Sequence, residues 1–196
     1  AAIAHPRIGY TGSINRKVDF ALIAHLAAKR TDWNFVFIGA QGSQDQAGER
    51  AFAVCAGRPN VHLLGAKPYR DLPQYVAAMD VNIMCYRMDD TVWTRVAYPL
   101  KLHEYLASGR PVVSAPIQSL RPMRDVLAIA QDEQEWEDAL ADALAGQGPG
   151  SSAARQAVAR QNTWDDRAQR FNRLLTEMLA AGPHMPSSVP SAALRA

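Results

Sequence analysis

The chain has 196 residues, 48% of them hydrophobic and 20% charged, with a formal net charge of +2. That length fits one globular domain with a tail, and the apolar content excludes global disorder. Lys and Arg are scattered and the net charge is small, which excludes a basic groove for nucleic acid but leaves room for a local anion site.

Short apolar runs alternate with helical patterns along the chain. Residues 7–11 (RIGYT) read as a first strand ended by Gly12, and residues 18–30 as a helix with Leu22, Ile23 and Leu26 on one face. Residues 35–38 form a second strand ended by Gly39, 46–56 a weakly patterned helix, and 61–64 a third strand ended by Gly65. Asp71, with Gln74 three residues later, has the form of a capping box for a helix reaching Met79. Residues 81–85 form a fourth strand, and the loop 86–98 follows. Pro99 suits the first turn of the next helix, which ends near Ser108 and Gly109. Strands at 111–114 and 126–130 come next. Asp132 with Glu135 is a second capping box, opening a helix to about Ala145. After the turn 146–150 the chain is helical again, with a break at Asn162 and Thr163. Trp164, Ala168, Phe171, Leu175 and Met178 then line one face of a last helix, which Gly182 and Pro183 stop.

This order predicts an α/β fold: a doubly wound, Rossmann-like parallel sheet of about six strands, with right-handed crossovers and helices on both faces. The strands are nearly continuous apolar runs, as expected when both faces of a sheet are covered. Ligands of such sheets bind beyond the carboxyl ends of the strands, at the switch point. The predicted domain is 1–181, followed by a disordered tail at 182–196 rich in Pro and Ser. Trp33, Trp136 and Trp164 are expected to be core or packing residues.

Two segments could carry chemistry. The first is the turn Gly12-Ser13-Ile14-Asn15-Arg16-Lys17, where small residues let backbone N–H groups approach a phosphate and Arg16 and Lys17 add positive charge. The alternative is an ordinary tight turn with solvated basic residues. The second is PLKLHEYLASGRPVV, residues 99–113. Pro99 and Leu100 open a helix at the ligand edge, whose free N–H groups could hold a diphosphate. Lys101 lies in the first turn, where a cation opposes the helix dipole unless an anion lies beside it. Glu104 follows one turn later, and a carboxylate accepts two hydroxyl hydrogen bonds of the kind a ribose diol offers. The alternative is a solvated Lys101–Glu104 ion pair. In the long loop, Arg87 and Trp93 are candidates for phosphate, sugar or base contact.

The string PLKLHEYLASGRPVV resembles the signature of GT-B glycosyltransferases of the group 1 type, and NVHLLGAKPYRDLPQYVAAMDV before it is similar to the same domain's preceding stretch. The likeness runs from about Arg7 to Leu179. It implies the C-terminal, nucleotide-sugar-binding half of a two-domain enzyme, with Glu104 on the donor ribose. It further implies a retaining, metal-independent transferase of EC class 2.4 acting in bacterial surface polysaccharide synthesis. The acceptor, a glycan or a lipid-linked glycan, would bind the missing domain, so the fragment alone is expected to be inactive. Ser13 stands where many relatives carry Arg, and Val96 where many carry Glu near the transferred sugar. Lys17 stands where those relatives keep a Lys, and Tyr98 replaces the Asn of the related string NPLK. The same fold would also serve a nucleotide-sugar 2-epimerase half or a non-catalytic nucleotide-binding domain.

Cys55 and Cys85 are far apart and have no His at metal-ligand spacing, so no metal site and no cofactor other than the donor substrate is expected. A reducing, cytoplasmic setting follows, with peripheral association at the inner face of the membrane. No run reaches the roughly 18–20 apolar residues that span a bilayer. Nothing has the form of a secretory signal, and the abrupt start without Met points to a fragment.

Overall fold

The computed structural model describes residues 2–88 and 97–180. The chain divides into two compact units, Ala1–Arg160 and Gln161–Ala196.

The first unit holds six parallel strands: β1 (Arg7–Thr11), β2 (Asn34–Ile38), β3 (Val61–Leu63), β4 (Val81–Met84), β5 (Val112–Ser114) and β6 (Ala128–Ile129). Their order is β3-β2-β1-β4-β5-β6, and every pair is parallel. The chain winds outward from β1 to β3 and then restarts beside β1 with β4. The switch point therefore falls between β1 and β4, with a crevice at their carboxyl ends. The expected doubly wound parallel sheet is present, and β4 is central.

The strands alternate their apolar side chains between two covered faces. In β2, Phe35 and Phe37 join Ile8, Tyr10 and Phe20 in the larger cluster, while Val36 and Ile38 pack with Met79 on the other side. Burying side chains of this size stabilises by roughly 1.5–3 kcal/mol each. The helices described in this unit are α1 (Phe20–Lys29), α2 (Gln46–Ala56), α3 (Leu72–Ala77) and α4 (Lys101–Ala107), which link successive strands, and α5 (Glu133–Leu144) and α6 (Ser152–Arg160), which follow β6.

Helix boundaries follow the caps. Asp19 accepts a hydrogen bond from the Leu22 N–H at 3.0 Å, so α1 begins at Phe20, not at residue 18. Val18 instead makes an antiparallel bridge with Tyr86. At α5, Asp132 accepts from the Glu135 N–H at 2.9 Å and Glu135 accepts from the Gln131 N–H at 2.8 Å, a capping box whose return bond reaches one residue further back. Asp71 does not cap. It ends a 3-10 turn at Tyr69–Asp71 with helical backbone angles, so its side chain cannot reach forward, and α3 starts after it at Leu72. Helix α4 starts at Lys101 with Leu100 as its cap. Pro99 contributes only a turn, its carbonyl accepting from the Leu102 N–H at 3.0 Å.

In the second unit, α7 (Trp164–Ala180) carries the apolar stripe seen in the sequence, and Thr163 accepts from the Asp166 N–H at 3.1 Å. None of its described residues is buried. Trp33 and Trp136 are core residues, but Trp164 is 72% exposed, contrary to expectation. The 3.6-residue period specified an apolar face without specifying what covers it.

Candidate functional site

The crevice between β1 and β4 brings together residues from three segments. Gly12 ends β1 with φ +131° and donates its N–H to the Ile38 carbonyl at 2.9 Å. A Cβ at Gly39 would overlap the Gly12 carbonyl oxygen, so the turns after β1 and β2 can touch only because Gly39 lacks one, whereas a Cβ at Gly12 would meet the Lys101 ammonium. Beyond Gly12, the Ile14 N–H is bonded to Ala40 and the Arg16 N–H to Ser43. The Lys17 N–H goes to the Asn15 side chain at 3.0 Å. Most N–H groups of this turn are thus already used, and the backbone cradle expected from the sequence is narrower than its length implied. Among the described residues, the N–H groups of Ser13 and Asn15 remain for a ligand. The Ser13 side chain is exposed and accepts from Asn15 at 3.1 Å, and Arg16 and Lys17 are exposed on the same turn.

Helix α4 crosses the end of the first strand and is fixed there by Tyr105. Its buried hydroxyl accepts from the Thr11 N–H at 2.8 Å and from the Thr11 hydroxyl at 3.2 Å. The β1–β4 ladder registers only Ile8 and Gly9, so this phenol supplies the partner that the strand lacks at Thr11. Leu102 and Leu106 are fully buried beneath the helix. At its far end, Gly109 turns the chain with φ +74°. The buried Arg155 of α6 donates to the carbonyls of Gly109 (3.0 Å), Pro149 (2.7 Å) and Gly150 (3.0 Å).

Lys101 does not form the solvated ion pair with Glu104 that its spacing allows. Its ammonium lies 3.6 Å from the Tyr10 ring centroid and 5.3 Å from that of Tyr86, immediately under Gly12. Burial pulls its pKa down to about 7, against smaller upward pulls from Cys85 and Glu104. Glu104 is exposed, with the Tyr69 hydroxyl 3.4 Å from its carboxylate. It sits on the edge of a cavity of about 530 Å³ between α3 and α4, walled by Leu72, Pro73, Val76 and Ala107. Pro99 is buried and Leu100 exposed at the start of the same segment.

Arg87 lies at the mouth, its N–H donating to the Lys17 carbonyl at 2.8 Å and its guanidinium paired with Asp45 at 2.8 Å. The Gly48 N–H and the Arg87 guanidinium hold the Asp45 carboxyl below its ordinary range. Trp93, and with it Val96, lies outside the described residues. The Tyr98 hydroxyl meets His103 at 2.7 Å, a packing role for that histidine. No group of three or more His, Cys, Asp or Glu side chains is placed to hold a metal among the described residues. No helix among them is long and apolar enough to cross a membrane.

Residues 5–146 match the family described as glycosyl transferases group 1. The chain belongs to this family. The chain is also similar to TuaH of Bacillus subtilis (strain 168), named as a putative teichuronic acid biosynthesis glycosyltransferase. The two are 32% identical over 117 residues, 60% of this chain and 28% of TuaH. Among solved structures, Anabaena Alr3699/HepE in complex with UDP and glucose aligns with TM-score 0.65 at 17% identity, over 89% of this chain and 48% of that one. Sucrose-phosphate synthase from Thermosynechococcus elongatus aligns with TM-score 0.66 at 17% identity, over 92% and 47%. These likenesses show the Rossmann-like fold found in GT-B glycosyltransferases. The chain spans about half the length of these solved structures and less of TuaH.

Within this group 1 chain, the sequence named Gly12, Lys101 and Glu104 as candidates and did not single out four tyrosines that the structure places around them. Tyr10 and Tyr86 floor the crevice, Tyr105 anchors α4 and Tyr69 reaches Glu104. Tyr105 lay inside the family-like string, and its signal was an aromatic hydroxyl one residue after Glu104 on a buried helix face.

Proposed function

We propose that this chain holds a nucleotide-sugar at the β1–β4 switch point for transfer of the sugar to an acceptor glycan or lipid-linked glycan bound by a partner domain. The observation that carries the reading is the placement of Lys101 directly under Gly12, with Glu104 one helical turn away on the edge of the α3–α4 cavity. A diphosphate at Gly12 and Ser13 would meet the free Ser13 and Asn15 N–H groups and the Lys101 ammonium, with Arg16, Lys17 and Arg87 within the same mouth. The ribose diol would donate to Glu104, and the base would lie along the α3–α4 cleft, where Tyr69 offers an exposed ring.

The chemistry asked of this half is electrostatic. Bond cleavage at the sugar leaves negative charge on the departing diphosphate, and fixed cations and N–H groups there stabilise the transition state more than the ground state. In this reading the cations neutralise the diphosphate without a metal, and the second reactant comes from outside the described residues, so the isolated chain binds donor but does not turn over. The relative in teichuronic acid biosynthesis supports a role in bacterial surface polysaccharide synthesis, carried out in the cytoplasm at the inner face of the membrane.

The test is release of free nucleotide from UDP-, GDP- and ADP-sugars by the full-length protein with cell-surface glycan fractions as acceptors. Acceptor-dependent release supports transfer. A sugar-epimer product, or binding without any turnover in the complete protein, would replace this reading with an epimerase or a non-catalytic domain.

A further inference from the structure

Tyr10 touches both sides of the crevice. Its hydroxyl donates to the Ser13 carbonyl at 3.1 Å, which ties the side chain to the turn after β1. Its ring lies 3.6 Å, centroid to nitrogen, from the Lys101 ammonium of α4, well inside the roughly 6 Å over which an aromatic face attracts a cation. Tyr86, just past the end of β4, brings a second ring 5.3 Å from the same ammonium and meets Tyr10 edge-on, with centroids 6.4 Å apart and planes at 80°. Phe37 packs against Tyr10 at 5.7 Å. Tyr10 is 2% exposed and Tyr86 7%, so neither ring can swing away. The ammonium is thereby aimed at Gly12, where an added Cβ would come within 2.7 Å of Nζ.

We propose that Tyr10, supported by Tyr86, is a positioning residue for the donor diphosphate: its ring face seats the Lys101 ammonium under Gly12 before the ligand arrives, so that this cation is ordered on folding and not on binding. The inference rests on the donor site proposed above and adds the residue that sets its selectivity for a diphosphate. Tyr10 acts only through Lys101, and no covalent bond forms or breaks.

The other groups of the mouth show what the seat contributes. Ser13 brings no charge to the turn, and Arg16 and Lys17 are exposed there. A long side chain immobilised by a ligand gives up rotamer freedom worth roughly a 2- to 12-fold loss in affinity. A side chain already held by the fold does not. Burial works against the charge on Lys101, and the two electron-rich faces work for it. The attraction comes from the ring and not from the hydroxyl, so phenylalanine at position 10 keeps the seat and leucine loses it.

Calorimetric titration of UDP and uridine at pH 6.5, below the value of about 7 to which burial pulls Lys101, compares the wild-type chain with Tyr10→Leu, Tyr10→Phe, Lys101→Met and the Tyr10→Leu, Lys101→Met double variant. Circular dichroism checks that each is folded. Tyr10→Leu is expected to lower UDP affinity roughly 2- to 12-fold and to leave uridine unchanged, while Tyr10→Phe keeps the ratio of the two affinities near that of the wild type. In the Lys101→Met background, Tyr10→Leu is expected to cost UDP nothing further. An equal loss in both backgrounds, or undiminished UDP affinity in folded Tyr10→Leu, would overturn the inference and leave the donor site standing. Where Tyr10→Leu does not fold, NMR of the wild-type chain without ligand decides. Ring currents should move the methylene signal beside the Lys101 ammonium, assigned by its loss in Lys101→Met, upfield of those of the exposed Lys17 and Lys29. A signal coincident with theirs would overturn the inference. A folded wild-type chain that does not bind UDP would remove the donor site, and the inference with it.

Discussion

Replacing Tyr105 with phenylalanine removes one oxygen from the junction between α4 and β1. That oxygen is fully buried and accepts from the Thr11 N–H at 2.8 Å and the Thr11 hydroxyl at 3.2 Å. Its removal leaves a buried backbone donor without a partner, which costs about 1–3 kcal/mol. The Thr11 hydroxyl can rotate toward another acceptor and the phenyl ring fills the same space, so the lower half of that range applies, about 1–2 kcal/mol. For a chain of this size, that lowers the thermal midpoint by roughly 2–8 °C. Urea denaturation should give a lower midpoint with an unchanged slope, since the exposed surface on unfolding is the same. UDP affinity should fall as well, because the Gly12 turn loses its tie to the helix bearing Lys101 and Glu104. An unchanged midpoint together with unchanged UDP affinity would refute the view that Tyr105 completes the strand ladder and sets the site.

Gly39→Ala should cost several kcal/mol, on the order of 3 or more, because the new methyl overlaps the Gly12 carbonyl, which is backbone and cannot swing aside. Poor soluble yield or a strongly lowered melting point checks it, and wild-type stability would contradict the close approach of the two turns. The thiols should be inert in the native chain at pH 8, since burial pushes Cys55 up to about 12 and Cys85 higher still. A thiol-reactive dye should label neither until denaturant is added, and rapid native labelling would contradict their burial. The same shifts have a defined sign in stability: folded values lie above the unfolded value of about 9, so stability is complete below pH 9 and declines as pH rises toward 12. Urea midpoints at pH 8 and 10 measure that decline.

The sheet was legible because its strands are short apolar runs closed by glycine, and Gly12, Gly39 and Gly65 do end β1, β2 and β3 with positive φ or close behind it. Caps were legible where side-chain reach decides them, as at Asp132, and not where the preceding chain already turns, as at Asp71. The candidate site was half legible. Residue spacing placed Lys101 and Glu104 on neighbouring turns, but only the fold reveals that the ammonium is drawn away from Glu104 onto the rings of Tyr10 and Tyr86, 91 and 15 positions away in sequence. The used N–H groups of the Gly12 turn were equally hidden, because their acceptors at Ile38, Ala40 and Ser43 belong to the end of β2 and the segment after it. The exposed stripe of α7 marks the limit of periodicity, which specifies a face and leaves its cover open.

The donor-site assignment is tested most directly by titrating UDP, uridine and 2′,3′-dideoxy-UDP into wild type and Glu104→Gln. The exchange keeps the shape of the side chain and removes its charge, at a cost of about 1.5–3 kcal/mol where a charge-assisted hydrogen bond is lost. By that figure, UDP affinity should drop roughly 10- to 150-fold. Affinity for the dideoxy analogue, which has no diol to donate, should barely change. Equal UDP affinity in the two proteins would contradict the placement of the ribose on Glu104, and with it the account of this crevice as the donor site.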